Sequence, residues 1–269
     1  MSKRSAIVVG ATGLVGSSLV KQLCEQENYV SVLTIGRNSL DYEHKKLVQR
    51  IRSLDQISEG DLDFAHDVFC CLGTTIKTAG SRAQFEKVDF EYPMQVASLA
   101  KNRGVDHFIV ISAMGASQNS KAYYSRVKGN LEAELGKLDF PRLSIVRPSL
   151  LVGNRKEFRF GERAGAAVLN LVNPLLIAGL KKYRSIEASQ VAVAMIGIAL
   201  STDTTPVRIY ESNELAEMQL PEIGQNEGSL DREATFNWSK LKEGDQTVID
   251  QDVVFDRTKI KTVDNDLPK

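Results

Sequence analysis

The sequence predicts an α/β protein built on a doubly wound parallel sheet. Three observations carry this reading. Short β-rich apolar runs alternate with stretches of helical periodicity as far as about Pro148, as successive βαβ units require. A glycine-rich turn, Gly10 to Gly16, stands between the first apolar run and the first helical stretch. The run from Asp67 to Leu72 is continuously apolar after its first residue, the pattern of a strand covered on both faces.

Taken in order, Ala6 to Val9 reads as the first strand, followed by the glycine turn and a helix through about Leu23. A second strand runs from Tyr29 to Ile35, a third from Leu47 to Leu54 and a fourth from Asp67 to Leu72. The stretch Arg82 to Lys101 places Phe85, Val88, Tyr92, Val96 and Leu99 at helical spacing, with Gly104 just beyond as a stop signal. His107 to Ser112 is the fifth strand, Lys121 to Leu138 a helix and Leu143 to Val146 the sixth strand. Six such strands imply the order 3-2-1-4-5-6. Beyond Pro148 the pattern loosens, with a helix at Ser189 to Leu200, a short strand at Val207 to Tyr210 and no regular periodicity from Glu211 onward. Residues 150 to 200 are expected to form a small substrate lobe, because ligands of doubly wound folds lie outside the carboxyl ends of the strands.

The 269 residues fit one large domain or two small ones. With 42% hydrophobic and 25% charged residues, wholesale disorder and collagen-like or disulfide-stapled scaffolds are excluded. The 34 basic and 34 acidic side chains cancel, which argues against a broad nucleic-acid-binding surface. That zero conceals an asymmetry: residues 1–215 hold 27 basic and 22 acidic side chains, whereas 216–269 hold 7 and 12. We therefore expect a body over 1–215 and an extended, partly disordered acidic tail over 216–269, a candidate docking segment for a protein partner. Lys45, Lys46, Arg50 and Arg52 form a local basic cluster that reads as a solvated strand edge.

Cys24, Cys70 and Cys71 are too few for a disulfide framework, and His44, His66 and His107 lack ligand-like spacing. No metal site is expected. The apolar run after the first residues is too short for a signal-peptide core, so a cytoplasmic location is expected. The uncharged run Ala164 to Leu180, interrupted by Asn170, Asn173 and Pro174, is short for a membrane span and reads as a buried or pocket-lining segment.

Gly10-Ala-Thr-Gly13-Leu-Val-Gly16 follows a strand and opens a helix, the context a dinucleotide-binding turn needs. The first glycine allows the tight turn, the second lets backbone N–H groups approach a pyrophosphate, and the third permits close helix–sheet packing. The alternative is a tight turn that binds no phosphate. At the end of the second strand stands Gly36-Arg37-Asn38, with no acid before Asp41. NAD-preferring sites place an acid there for the ribose 2′-hydroxyl, and a 2′-phosphate favours a cation. Arg37 is therefore expected to stack on adenine and pair with that phosphate, which favours NADP(H) over the reading of a solvated surface arginine.

Tyr124-Ser-Arg-Val-Lys128 puts two side chains four apart on one helix face. An ammonium beside a phenol stabilises the phenolate and moves the tyrosine toward acid–base use.

With the glycine turn, this pair resembles the short-chain dehydrogenase/reductase family. Phe69-Cys-Cys-Leu-Gly73-Thr-Thr75, the helix from Tyr124 to Leu135 with Lys128-Gly129 and Glu132-Ala133, and Arg147-Pro148 look like the Tat-interactive-protein oxidoreductase branch of its atypical members. The likeness runs from about residue 5 to about 215. It implies a Rossmann-like domain with a phosphate loop at Gly10, Thr12, Gly13, Leu14 and Val15, an adenosine-phosphate arginine at Arg37, and strand-four cofactor contacts at Cys71, Leu72 and Gly73. It further implies Tyr124 as proton donor, Lys128 as ribose-binding lysine, and later cofactor contacts at Leu151 and Arg159. One position departs from the pattern. Related chains often carry Ser-Ser at the end of strand five, and this chain has Ser112-Ala113. Carbonyl polarisation then rests on Tyr124 alone or on Ser112 after a shift.

Three functions follow as expectations. The first is an NADPH-dependent oxidoreductase acting on the carbonyl of a small, hydrophobic substrate. The second is a non-catalytic NADPH-binding sensor or assembly factor, suggested by Ala113 and the acidic tail. The third is nucleotide-sugar epimerisation or dehydration, which normally uses tightly held NAD and is disfavoured by Arg37.

Overall fold

A computed structural model of the protein describes residues 3–63, 65–153 and 183–220, all within the unit Met1–Ile223. The strands are β1 (Arg4–Val9), β2 (Tyr29–Gly36), β3 (Leu47–Ile51), β4 (Asp67–Cys70), β5 (His107–Ile111), β6 (Arg142–Arg147), β7 (Leu151–Val152), β8 (Ile186–Glu187) and β9 (Val207–Glu211). The α-helices are α1 (Leu14–Glu25), α2 (Ile76–Ala79), α3 (Arg82–Glu86), α4 (Tyr92–Asn102), α5 (Tyr123–Gly136), α6 (Ala188–Leu200) and α7 (Ser212–Glu217).

Seven strands form one parallel sheet in the order β3-β2-β1-β4-β5-β6-β9. This is the doubly wound order with β9 added beside β6, where Leu143 pairs with Val207 and Arg147 with Glu211. Burial explains the strand sequences: every residue of β4 and β5 is buried, including Asp67 and His107 at their starts. On one face Ala6, Val8, Phe69, Ile109 and Val146 form a single core with Val15, Leu19 and Leu23 of α1 and Val191, Ala194 and Met195 of α6. Alternate residues, among them Ile7, Val68, Phe108 and Val110, are buried on the opposite face. Helix α6, expected within the substrate lobe, is thus part of the main core.

Several element ends differ from the sequence reading for local reasons. Strand β3 stops at Ile51 because Ser53 caps a 3-10 turn at Leu54–Gln56, its hydroxyl accepting the N–H of Asp55. The long helix expected from Arg82 to Lys101 contains a π-turn at Lys87–Glu91 between α3 and α4. The extra residue advances the helical phase, so the buried face reads Phe85, Asp89, Pro93, Val96, Ala97 and Ala100. Helix α7 lies where periodicity was lost; Glu211 and Glu214 form its capping box. Leu215 is fully buried, and Gln190 donates to the carbonyls of Leu215 (2.9 Å) and Met218 (2.8 Å). Chain past the expected boundary at 215 is therefore held against the body through Leu220, the last described residue, which packs on the same core.

At the amino ends of the strands lies a buried polar cluster. Asp67 accepts from Arg4 through both carboxylate oxygens (2.7 Å each) and from the Tyr29 hydroxyl (2.7 Å). His107 bonds Ser144 at 2.8 Å. Its other ring nitrogen is 3.9 Å from Asp67, but that carboxylate is already compensated by Arg4. Burial, with Arg142 and Arg4 adding to it, pushes the imidazole down to about 3, so His107 is neutral. This cluster closes the sheet edge opposite the glycine turn.

Candidate functional site

The carboxyl ends of β1 and β4 meet at the point where strand order reverses, the usual position of a crevice in such sheets. Gly10 follows β1 with φ +78°, and a Cβ there would stand 2.6 Å from the carbonyl carbon and oxygen of Cys71. Only glycine allows both that backbone angle and that approach. Gly16 is equally constrained, since its Cβ would lie 2.2 Å from the Gly10 oxygen. Gly13 begins α1 without a side-chain cap, and the first turn holds no acid. The helix therefore presents its N–H groups and positive dipole end at a cradle of exposed Thr12 and Gly13, half-buried Leu14 and buried Val15. These features fit a pyrophosphate.

Arg37 is exposed just past β2 and makes no ion pair or hydrogen bond with any described residue. The loop beyond it is held from below by Gln49 of β3, a residue the sequence did not single out. Its side chain accepts the N–H of Leu40 (2.6 Å) and donates to the carbonyls of Leu40 (3.3 Å) and Tyr42 (3.1 Å). Arg50 and Arg52 of the basic cluster both pair with Asp61, at 2.5 and 2.7 Å, so neither is a free edge cation.

At the end of β4, Cys71 continues the ladder by donating its N–H to Val9 (2.9 Å). Cys71 and Leu72 are half-buried and Gly73 is exposed. Burial pushes the Cys70 thiol up to about 11 and the Cys71 thiol well above its ordinary value, so both remain protonated at neutral pH. These cysteines place backbone at the cradle; their sulfurs are not nucleophiles.

Tyr124 and Lys128 lie on α5. Tyr124 is 36% exposed and packs on Phe85 at 5.5 Å between ring centroids. Lys128 is 2% exposed and donates to the carbonyl of Ile111 at the end of β5 (3.4 Å), which sets the pair on the same carboxyl edge as the glycine turn. Gly129 makes this depth attainable, because a Cβ there would stand 2.2 Å from the backbone of Ser117. The Lys128 ammonium is 2.9 Å from the carboxylate of Asp89, on the π-turn. Burial works against its charge, but Asp89 and Tyr124 carry its pKa above the ordinary lysine value.

The expected lowering of the Tyr124 pKa is not the net result. Burial raises it, the nearby Lys128 ammonium pulls it down by less, and the Asp89 carboxylate adds to the rise. Asp89 escaped the sequence reading because the π-turn displaces it onto the face that plain helical spacing assigns to Val88.

Ser112 is buried, and its hydroxyl donates to Glu132 of α5. Glu132 in turn binds Arg147 of β6 through both oxygens (2.9 and 2.5 Å), and Arg147 reaches Glu211 (3.1 Å) and the carbonyl of Ala116 (3.2 Å). The Ser112 hydroxyl is thus taken up by a buried network with Glu132 and Arg147, and of the two expected arrangements it is carbonyl polarisation by Tyr124 alone that leaves this network intact. Ala113 beside it is also buried.

Leu151 lies in β7, which pairs with β8 through Leu151–Ile186 and Val152–Glu187. The next residue, Gly153, approaches the turn closely enough that a Cβ would sit 3.2 Å from Leu14. The structure therefore brings together the glycine turn, the Cys71–Gly73 segment, Tyr124, Lys128 and the β7 end. Arg159 and the run 164–180 lie outside the described residues, as does nearly all of the tail. Among the described residues no group of three or more His, Cys, Asp or Glu is placed to hold a metal, and no helix is long and apolar enough to cross a membrane.

Residues 10–157 match the sequence profile of a family described as NAD(P)H-binding. The chain is 38% identical over 167 residues to Protein HTATIP2 of Rattus norvegicus, covering 60% of this chain and 69% of that protein. It is 34% identical over 216 residues to Protein FMP52, mitochondrial, of Eremothecium gossypii, covering 78% of this chain and 95% of the relative. Among solved structures, UDP-N-acetylglucosamine 4-epimerase from Methanobrevibacter ruminantium M1 in complex with UDP-N-acetylmuramic acid is similar with a TM-score of 0.60 at 18% identity, over 78% of this chain and 77% of that one. MoeE5 in complex with UDP-glucuronic acid and NAD gives a TM-score of 0.59 at 14% identity, over 78% and 79%. At these identities the structural likeness establishes the fold.

Proposed function

Since the chain belongs to the NAD(P)H-binding family, within the atypical short-chain dehydrogenase/reductase group of its HTATIP2 and FMP52 relatives, we propose that it is an NADPH-dependent reductase of a small carbonyl substrate. The observation that carries this reading is the bond from Lys128 to Ile111, which sets the Tyr124–Lys128 pair on the strand edge that also bears the glycine cradle. In this reading Gly10 to Val15 hold the pyrophosphate, Arg37 the 2′-phosphate, Cys71 to Gly73 the strand-four side of the cofactor, and Lys128 the ribose. When bound, NADPH supplies the hydride. Tyr124 holds a proton at its hydroxyl and delivers it to the carbonyl oxygen, and its raised pKa keeps that proton in place at neutral pH. With the Ser112 hydroxyl on Glu132, Tyr124 is the donor that meets the oxygen.

The test joins affinity to turnover. Tyr124→Phe is expected to lower NADPH oxidation on a carbonyl panel by a factor of about 10² or more while leaving NADPH affinity within about threefold. Arg37→Ala is expected to weaken NADPH binding and spare NADH. Unchanged turnover in the first variant, or tighter binding of NADH than NADPH by the wild type, overturns the assignment.

A second reading is an NADPH-responsive binding protein. It is favoured by the committed Ser112 hydroxyl and by the neutralisation of Lys128 by Asp89, which leaves the tyrosine poorly activated. An absence of turnover across the panel with intact NADPH binding selects it. Nucleotide-sugar epimerisation is selected instead by NAD released on denaturing the purified protein. For residues 216–269 we keep the proposal of an acidic appendage that docks a protein partner. A truncation after residue 220 tests it, since it spares Leu215 and Met218 and should leave NADPH affinity unchanged. A cytoplasmic location is kept on the reduced thiols, and fractionation tests it against the mitochondrial label carried by the fungal relatives.

A further inference from the structure

Asp89 is fully withdrawn from water, and the reaction proposed above gives it no part. A buried carboxylate persists where cations and donors compensate it. Here one oxygen stands 2.9 Å from the Lys128 ammonium and the other accepts the backbone N–H of Thr74 at 2.8 Å. Thr74 directly follows Cys71–Gly73, and a Cβ on Gly73 would stand 3.5 Å from the Asp89 oxygen that faces Lys128. The π-turn at Lys87–Glu91 is what turns this side chain toward α5 and β4.

We propose that Asp89 is a positioning residue that couples the Tyr124–Lys128 pair to the loop after β4, one oxygen holding the lysine and the other the loop. Proton donation and cofactor grip then respond to a single carboxylate. The inference rests on the reading of Tyr124 and Lys128 as proton donor and ribose-binding lysine. The titratable groups facing the cluster are Lys128 and Tyr124 from α5 and Cys70 from β4. Cys70 stays a neutral thiol, so the balance lies between Asp89 and Lys128.

Two variants of the full-length chain separate the two bonds. Asp89→Asn retains an oxygen for the Thr74 N–H and removes the charge; Asp89→Ala removes both. In Asp89→Asn the Tyr124–Lys128 pair should release its first proton at a pH lower by about one unit or more. Carbon NMR of labelled tyrosine rings and lysine side chains reads this, with Tyr124→Phe for assignment. NADPH affinity should stay within about threefold in Asp89→Asn and fall about tenfold or more in Asp89→Ala. An unchanged titration in Asp89→Asn overturns the proposal, and so does equal NADPH affinity of the two variants. If Asp89→Ala does not fold, the Asp89→Asn titration still decides. If the wild-type protein fails to bind NADPH, the function proposed above falls together with the cofactor half of this inference, while the titration still tests the hold of Asp89 on Lys128.

Discussion

Replacing Gly10 by alanine isolates the geometry on which cofactor binding rests. At φ +78° a side chain costs about 1–2 kcal/mol in backbone strain. The added Cβ would meet the Cys71 carbonyl at 2.6 Å, about 0.8 Å short of ordinary contact, and both partners are backbone. The turn and β4 must therefore separate, at an overpacking cost of about 1–3 kcal/mol. Together these predict a loss of roughly 2–5 kcal/mol, or a melting temperature lower by roughly 5–15 °C for a body of this size. Separation also moves the N–H groups of the cradle away from the pyrophosphate, which should weaken NADPH binding by about tenfold or more. Thermal melting and fluorescence titration with NADPH measure the two effects. The control is Gly136→Ala at the end of α5, where a Cβ meets nothing within 4 Å. There alanine should be neutral or stabilising by up to about 1 kcal/mol, with cofactor affinity unchanged. A Gly10→Ala protein that melts with the wild type and binds NADPH equally well refutes the reasoning.

Gln49→Leu removes three bonds from the loop that follows Arg37; it should weaken NADPH by about tenfold and NADH by less than about threefold, and equal losses would make Gln49 a fold residue only. Ser112→Ala strips a donor from the buried Glu132 carboxylate and should cost about 1–3 kcal/mol in a denaturant titration. A turnover loss of about 10²–10³ in that variant instead returns Ser112 to catalysis. His107 is held neutral down to about 3, whereas an unfolded histidine takes up its proton near ~6.5. Its contribution is therefore complete above the unfolded value and lost as pH falls between the two, by up to about 1.4 kcal/mol per pH unit. Between neutral and mildly acidic pH the urea midpoint should fall further in the wild type than in His107→Gln, and equal falls in the two contradict the burial argument.

The parts of the site legible in the sequence are those whose chemistry is local. The turn from Gly10 to Gly16 can be read because its constraints, a positive φ and close backbone approach, act over seven consecutive residues. Tyr124 and Lys128 can be read because helical spacing alone puts them on one face. Gln49, Glu132 and Asp89 could not be read, because each acquires its meaning from a partner on another element. Gln49 serves a loop nine residues away, and Glu132 links a strand end to Arg147.

The sequence by itself determined the parallel α/β architecture, the dinucleotide turn and the tyrosine–lysine pair, since alternation, glycine geometry and helical periodicity are properties of neighbouring residues. Tertiary structure decided the electrostatic state of that pair. Burial and the Asp89 carboxylate raise the Tyr124 pKa against the pull of Lys128, and the Ser112 hydroxyl is turned to Glu132. The strength of a charge depends on how far water is excluded and on which opposite charge the fold brings within a few ångströms, and neither is written in residue spacing.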